Sequence, residues 1–230
     1  PGRRDRPRAD PIARATLRRM AILLIRHGET AGNRDRMIQV PETPLSEDGL
    51  AQAARLGRRL ADAPIAEIWS SHLLRAHQAA QAIERTTRAP LEIHPELEER
   101  NFGLLRGTPY AELRVDPFAP HYDPPGGEGW DAFHERVDRM WEQIVRHWQA
   151  RYADRREPVH LAIVSHGLFL RSLLERRLLS REQLARHGDG EKIAISNTAL
   201  SVVVPSEAHR VELVACTAHL EGEPETLAPV

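Results

Sequence analysis

The sequence is short of sulfur, of lysine and of long apolar runs. A single cysteine, Cys216, stands among 230 residues. That excludes an internal disulfide framework and fits a reducing compartment, so a cytoplasmic location is expected. It lies in a strand-like apolar run, where a buried, inert thiol is expected. Lys192 is the only lysine; the other basic residues are arginines, which reads as coding bias. No apolar run approaches the ~20 residues of a membrane span, and none has the length and place of a signal peptide. Charge of one sign is missing too. The net charge is −1, so nothing global favours nucleic acid or an anionic membrane as partner.

What remains is an ordinary globular composition, with 41% hydrophobic and 28% charged residues, in a chain long enough to bury a core without staples. Residues 1–19 differ, with seven arginines, three prolines and little apolar periodicity. They read as a disordered or extraneous leader, with Met20 as the original start. Residues 20–216 read as one domain and 217–230 as a C-terminal tail.

From residue 20 onward short apolar runs alternate with helical patterns. Strands are expected at 21–26, 66–70, 90–94, 159–164, 192–196, 199–204 and 209–216. Helices are expected at 46–61, with Ser46 as N-cap, at 72–87, at 129–152 and from about 167. On the long helix Phe133, Val137, Trp141, Ile144, Val145 and Trp148 share one face, which marks a core stripe. Strands alternating with helices imply an α/β fold, a three-layer α/β/α sandwich around a mostly parallel sheet. The closely spaced last strands add an antiparallel edge.

Two strand ends carry the same feature. "AILLIRHGET" (21–30) and "LAIVSHGLFL" (161–170) each run from apolar residues into His-Gly, with His27 and His166 lying 139 residues apart. In an open parallel sheet, ligands bind outside the carboxyl ends of the strands. If these strands are neighbours, the two imidazoles share one cleft. The glycines let a ligand approach the backbone, and Arg26 adds a planar cation suited to phosphate.

Taken in order, "LIRHGET" with Asn33, "TPLSEDGLAQA" (43–53), "WSSHLLRAHQAA" (69–80), "LEERNFGLLRG" (97–107), "GGEGW" (126–130) and "VSHG" (164–167) resemble the histidine phosphatase superfamily, which includes the cofactor-dependent phosphoglycerate mutases. The resemblance covers residues 21–204. It implies that His27 is the nucleophile that becomes phosphohistidine. Arg26, Arg75 and His166 would surround the phosphoryl group, and Asn33 would add a hydrogen bond. Glu99, preferred over its neighbour Glu98 by register, would be the proton donor. Thr30, Arg100 and Glu128 are candidates for substrate contact, Glu128 alternatively as a cap for the long helix. Gly129, Val40 and His72 depart from residues usual in the family.

The residue types suit that chemistry by themselves. A neutral imidazole is an adequate nucleophile near pH 7 without a metal. Cationic donors stabilise charge spread over phosphoryl oxygens, and a carboxylic acid can protonate a leaving alkoxide. The expected activity is a phosphomonoesterase acting on a small phosphorylated metabolite, with no cofactor and no metal. The segment 108–125 would act as a lid; it bears Tyr110, Phe118 and Tyr122 but only Arg114 and His121 as basic residues. That favours a phosphatase over a mutase, which must hold a bisphosphorylated intermediate. His72 and His77, five apart, do not share a helix face as metal ligands would. A catalytically silent phosphate-binding module is the alternative of another class. Oligomeric state is left open, with a homodimer as one option.

Overall fold

The computed structural model describes residues 20–188 and 192–221. The leader at 1–19 and the tail beyond 221 lie outside the described residues. Six strands form one sheet: β1 (Ala21–Arg26), β2 (Ile65–Ser70), β3 (Leu91–Ile93), β4 (His160–Ser165), β5 (Leu200–Val204) and β6 (Arg210–Cys216). Their order is β3-β2-β4-β1-β5-β6. The first four strands are mutually parallel. β5 pairs antiparallel with β1, and β6 antiparallel with β5, so a hairpin closes that edge. Only β5 runs against the rest.

Helices cover both faces. β1 alternates its side chains as a strand must: Ala21, Leu23 and Ile25 face α2 (Glu47–Leu60) and α3 (Leu74–Thr87). Ile22 and Leu24 face α4 (Trp130–Tyr152) and α5 (Gly167–Leu173). All five are buried, which is why the run is apolar throughout rather than alternating. The stripe expected on the long helix is core: Phe133, Val137, Trp141, Ile144 and Trp148 are buried, and Val145 packs against them. Two short helices, α1 (Ala31–Arg34) and α6 (Arg181–His187), complete the set.

The segment 192–196 is not a strand. Ile193 and Ile195 are buried, but the only pairing is an isolated bridge from Ile193 to Gly188. The carbonyls of Ile193 and Ile195 accept arginine side chains instead of strand amides. Apolar content reported burial there, not pairing. Cys216 is half-buried in β6 and accepts a hydrogen bond from Arg59, so the expected full burial is corrected.

Ser46 caps α2, its hydroxyl accepting the Gly49 amide at 3.0 Å. The cap brings α2 against the turn that follows β1, where Gly28 and Gly49 meet backbone to backbone. A methyl group at Gly49 would run into the Glu29 carbonyl, and one at Gly28 into the Gly49 carbonyl. The first turn of α2 is thereby pressed onto the segment that carries His27. Gly49→Ala is expected to cost about 1–3 kcal/mol by overpacking and to lower activity with it. A melting curve and a turnover assay on that variant check this; an unchanged Tm would mean the contact is not tight.

Candidate active site

Register places the two histidines. Arg26 pairs with Ser165 across the parallel β1–β4 ladder, and the His27 amide donates to the Ser165 carbonyl at 3.1 Å. Both strands therefore end at one level. The imidazoles of His27 and His166 lie 5.1 Å apart, tilted by 58°. Both are buried, at 3% and 0% exposure.

Each ring is oriented by a neighbour. His27 Nδ1 lies 2.6 Å from the Gly28 carbonyl. A carbonyl only accepts, so Nδ1 carries the hydrogen and Nε2 keeps the lone pair. His166 Nε2 lies 2.9 Å from the Ser71 hydroxyl. That hydroxyl also accepts the Leu73 amide, and with a second lone pair and its own proton it serves either tautomer of His166. His166 Nδ1 has no partner among the described residues. Burial first, then the charges of Arg26 and Arg75, hold His27 well below the ordinary imidazole value. His166 is held down by burial, then by Arg75, His27 and Arg26. Both are neutral at pH 7.

Two arginines converge on this pair. Arg26 donates Nη1 to the Ile195 carbonyl at 2.5 Å, and Arg75 donates Nη1 to the Val40 carbonyl at 3.2 Å. The Nε of each is buried without a partner, and neither has a carboxylate partner among the described residues. Burial lowers both, Arg75 to about 10, so Arg75 stays charged at neutral pH. Glu99 is the carboxylate whose charge acts on both, but without an ion pair two buried cations are costly until an anion arrives. Asn33 lines the same cavity. Its Oδ1 accepts from Thr30 and from Asn197 Nδ2, which leaves its Nδ2 for a ligand.

Glu99 lines the cavity and Glu98 does not. Glu99 Oε1 accepts the amides of Arg100 and Phe169 at 3.0 and 3.2 Å, and Oε2 accepts that of Leu168 at 3.0 Å. It thus caps α5 from a distant loop, where His166 at the N-cap supplies no side-chain bond. Glu98 instead faces His72 and Arg106, each 3.9 Å away.

Three expected contacts are placed elsewhere. Thr30 is fully buried and outside the cavity lining; its hydroxyl caps α1 and accepts the Asn33 amide. Arg100 borders the cavity, but its three nitrogens donate to the carbonyls of Glu128, Pro117 and Tyr122. Its guanidinium lies over Trp130, 4.0 Å from the ring centroid, so it clamps the loop above the site. Glu128 neither lines the cavity nor caps the long helix. It forms a bidentate pair with Arg136, both bonds 2.8 Å.

Four positioning residues were missed from sequence. Arg136 also donates to the carbonyls of Glu96, Glu98 and Glu99 and so fixes the acid-bearing loop. Ser71 orients the His166 ring; only the Ser-Ser pair in its motif hinted at it. Thr198, in left-handed backbone at φ 54°, donates its amide to the His27 carbonyl at 3.1 Å. Its hydroxyl lies 2.9 Å from His219 Nε2, and Arg59 Nη1 lies 3.1 Å from His219 Nδ1. Arg59 can only donate, so His219 carries its hydrogen on Nε2 and gives it to Thr198. Residues near the C-terminus thereby brace the backbone of His27.

The cavity that His27 lines has a volume of about 710 Å³, within the range of small-molecule sites; His166, fully buried beside His27, is not among its lining residues. One wall is apolar, from Met37, Ile38, Leu73, Phe102 and Phe118. Phe118 stacks edge-on with Phe102 and Tyr110, both at 5.6 Å. The segment 108–125 therefore contributes Tyr110 and Phe118 to the cavity, while Tyr122 is not among the lining residues.

Paired histidines at adjacent parallel strand ends, flanked by two buried arginines, form a cationic site in an α/β fold. The chain belongs to the histidine phosphatase superfamily, branch 1, whose family model matches residues 22–217. It is 34% identical over 139 residues to a Xenopus tropicalis fructose-2,6-bisphosphatase TIGAR, covering 56% of this chain and 50% of that protein. The chain thus spans about half the length of the relatives it matches first. It is 33% identical over 169 residues to an Arabidopsis thaliana metal-independent phosphoserine phosphatase, covering 67% of each. Among solved structures, Bacillus stearothermophilus YhfR superposes with a TM-score of 0.71 at 27% identity, over 88% of this chain and all of that one.

Six histidines are held below the ordinary imidazole value, and the three shifted furthest, His27, His166 and His219, tie stability to pH most strongly. His219 is lowered to about 4 by burial, then by Arg59 and Arg55, and His27 and His166 also lie below their unfolded values. Between about 6.5 and the folded values the unfolded chain binds more protons, so stability falls as pH falls. Each histidine contributes a slope of up to about 1.4 kcal/mol per pH unit in that window. The urea midpoint is expected to drop from pH 7 to 5, before most carboxylates titrate, and His219→Gln should flatten part of the drop. A flat wild-type profile over that range would contradict the burial of all three as neutral rings.

Proposed function

We propose that the chain is a phosphomonoesterase that works through phosphohistidine at His27, without a metal, on a small phosphorylated metabolite. One observation carries this: His27 is a neutral, buried imidazole whose Nδ1 is tied to Gly28, leaving Nε2 as a free nucleophile beside two arginines without counter-ions. The membership of the histidine phosphatase superfamily supports it.

In the first step His27 Nε2 forms a bond to phosphorus and the ester P–O bond breaks. Arg26, Arg75, Asn33 and His166 meet the charge on the phosphoryl oxygens. The leaving alkoxide takes a proton from Glu99. Oε1 of Glu99 is filled by two amides and Oε2 by one, so Oε2 has room for that proton. In the second step the Glu99 carboxylate takes a proton from water, the water oxygen attacks phosphorus, and the P–N bond breaks. Inorganic phosphate leaves and His27 is restored.

The lid supports a phosphatase over a mutase. It closes the cavity with Tyr110 and Phe118 rather than with cations suited to a second phosphoryl group. Residues 20–216 form the catalytic domain in this scheme. The lone cysteine favours the cytoplasm, and no described helix is long and apolar enough to cross a membrane.

Hydrolysis of p-nitrophenyl phosphate with excess EDTA is the test. Wild type should turn over, and His27→Ala should lose about 10³-fold or more. A denaturing quench at alkaline pH should trap a phosphoenzyme in the wild type alone, and acid should release its phosphate. Equal turnover by both proteins would remove His27 from the mechanism.

A further inference from the structure

One residue beside the nucleophile holds a conformation that its type disfavours. Residues 196–199 form a tight turn, closed by the Ala199 amide on the Ser196 carbonyl at 3.1 Å. The third residue of the turn, Thr198, has φ 54°. A positive φ at that position favours Gly or Asn, and a β-branched residue there is strained. Arg36, Arg88, His121, His209 and Ala215 also have positive φ, but Thr198 alone among them is β-branched and fully buried. Strain of this kind persists only where the surroundings enforce it, and it gathers at functional sites.

The enforcing contacts run in two directions. On the outer side, Arg59 donates to Cys216 Sγ at 3.3 Å and to His219 Nδ1 at 3.1 Å. His219 Nε2 then donates to the Thr198 hydroxyl at 2.9 Å, and that hydroxyl gives its own proton to the Asn197 carbonyl at 2.8 Å. Arg59 can only donate, so it sets the direction of every bond from His219 onward. On the inner side, the Thr198 amide donates to the His27 carbonyl at 3.1 Å, and the Ala199 carbonyl accepts the Arg26 amide at 3.1 Å. Asn197 Nδ2 donates to Asn33 Oδ1 at 3.2 Å and, more distantly, to the His27 carbonyl at 3.5 Å. Arg26, His27 and Asn33 all line the cavity, yet the turn that holds them stays outside its lining.

We infer that Asn197 and Thr198 are positioning residues for phosphoryl transfer: the strained turn, locked from outside by His219, sets the place of His27 and the direction of the Asn33 amide. A glycine would take this backbone without strain, but it would give His219 nothing to hold. Reacting groups that are slightly misplaced lose rate before they lose affinity, because alignment counts most in the transition state. The effect on rate rests on the phosphohistidine reading of His27; the placement of its ring does not.

The test uses the full chain with p-nitrophenyl phosphate in single turnover, enzyme in excess, well below the melting temperature of each variant. A role in folding alone leaves the maximal rate unchanged under those conditions. His219→Leu and Thr198→Gly should lower that rate about tenfold, with the half-saturating enzyme concentration moved by less than about twofold. His219→Gln, whose amide can accept from Arg59 and donate to Thr198, and Thr198→Ser, which keeps the hydroxyl, should recover most of it. Asn197→Ala should slow the wild type more than it slows Asn33→Ala, since it acts partly through Asn33. A wild-type rate in His219→Leu, a His219→Gln as slow as His219→Leu, or a loss confined to half-saturation would overturn the proposal. Additive losses at Asn197 and Asn33 would remove Asn197 from it. The ring nitrogen resonances of His27, assigned by their loss in His27→Ala, give a second readout that needs no turnover. They should move in His219→Leu and stay in place in His219→Gln. If the wild type transfers no phosphoryl group, the phosphatase reading falls, and an unmoved ring in His219→Leu would then sink the positioning role as well.

Discussion

The site depends on one pairing, the parallel register of β1 with β4. With Arg26 opposite Ser165, His27 and His166 come off their strands at the same height. A slip of one residue would turn every side chain of β1 to the other face. Leu23 and Ile25 would then trade layers with Ile22 and Leu24, and Arg26 would leave the loop it now holds. The register is fixed by burial on both faces, so the core and the active site are specified by the same contacts. The polar strand tips end two central strands that are buried almost throughout.

Around that pairing, the protein holds its reactive groups mostly with backbone. Gly28 sets one histidine tautomer, three amides hold Glu99, and carbonyls tether Arg26, Arg75 and Arg171. Carbonyls orient an arginine without neutralising it. The positive charge is thereby stored for the substrate, which a carboxylate partner would have spent. Where a carboxylate is used, between Glu128 and Arg136, the pair stands outside the cavity and fixes the acid-bearing loop.

This division explains what could be read in advance. His27, His166, Arg26 and Arg75 were legible because their chemistry requires those residue types at strand and helix ends. The strands of the sheet were legible because burial on both faces leaves unbroken apolar runs. Ser46 as cap was legible because its signal is local. The partners that act through tertiary contact were not. Nothing in the type of Ser71, Thr198 or His219 distinguishes them from surface residues until the fold brings them to a ring nitrogen or a carbonyl. Arg100 and Glu128 carried the right charges for substrate contact, yet loop carbonyls and Arg136 claimed them. The run at 192–196 was apolar for the core, while its carbonyls served arginines.

The brace from His219 through Thr198 to the His27 carbonyl has a consequence for the order of assembly. The nucleophile lies on the first strand of the sheet, whereas its brace comes after the last. During synthesis from the N-terminus, β1 leaves the ribosome long before Thr217–Leu220 can dock. A nascent chain can pair its early strands while the backbone at His27 still lacks its final support. Full support of the His27 backbone thus waits on Thr217–Leu220, residues that lie outside the cavity lining.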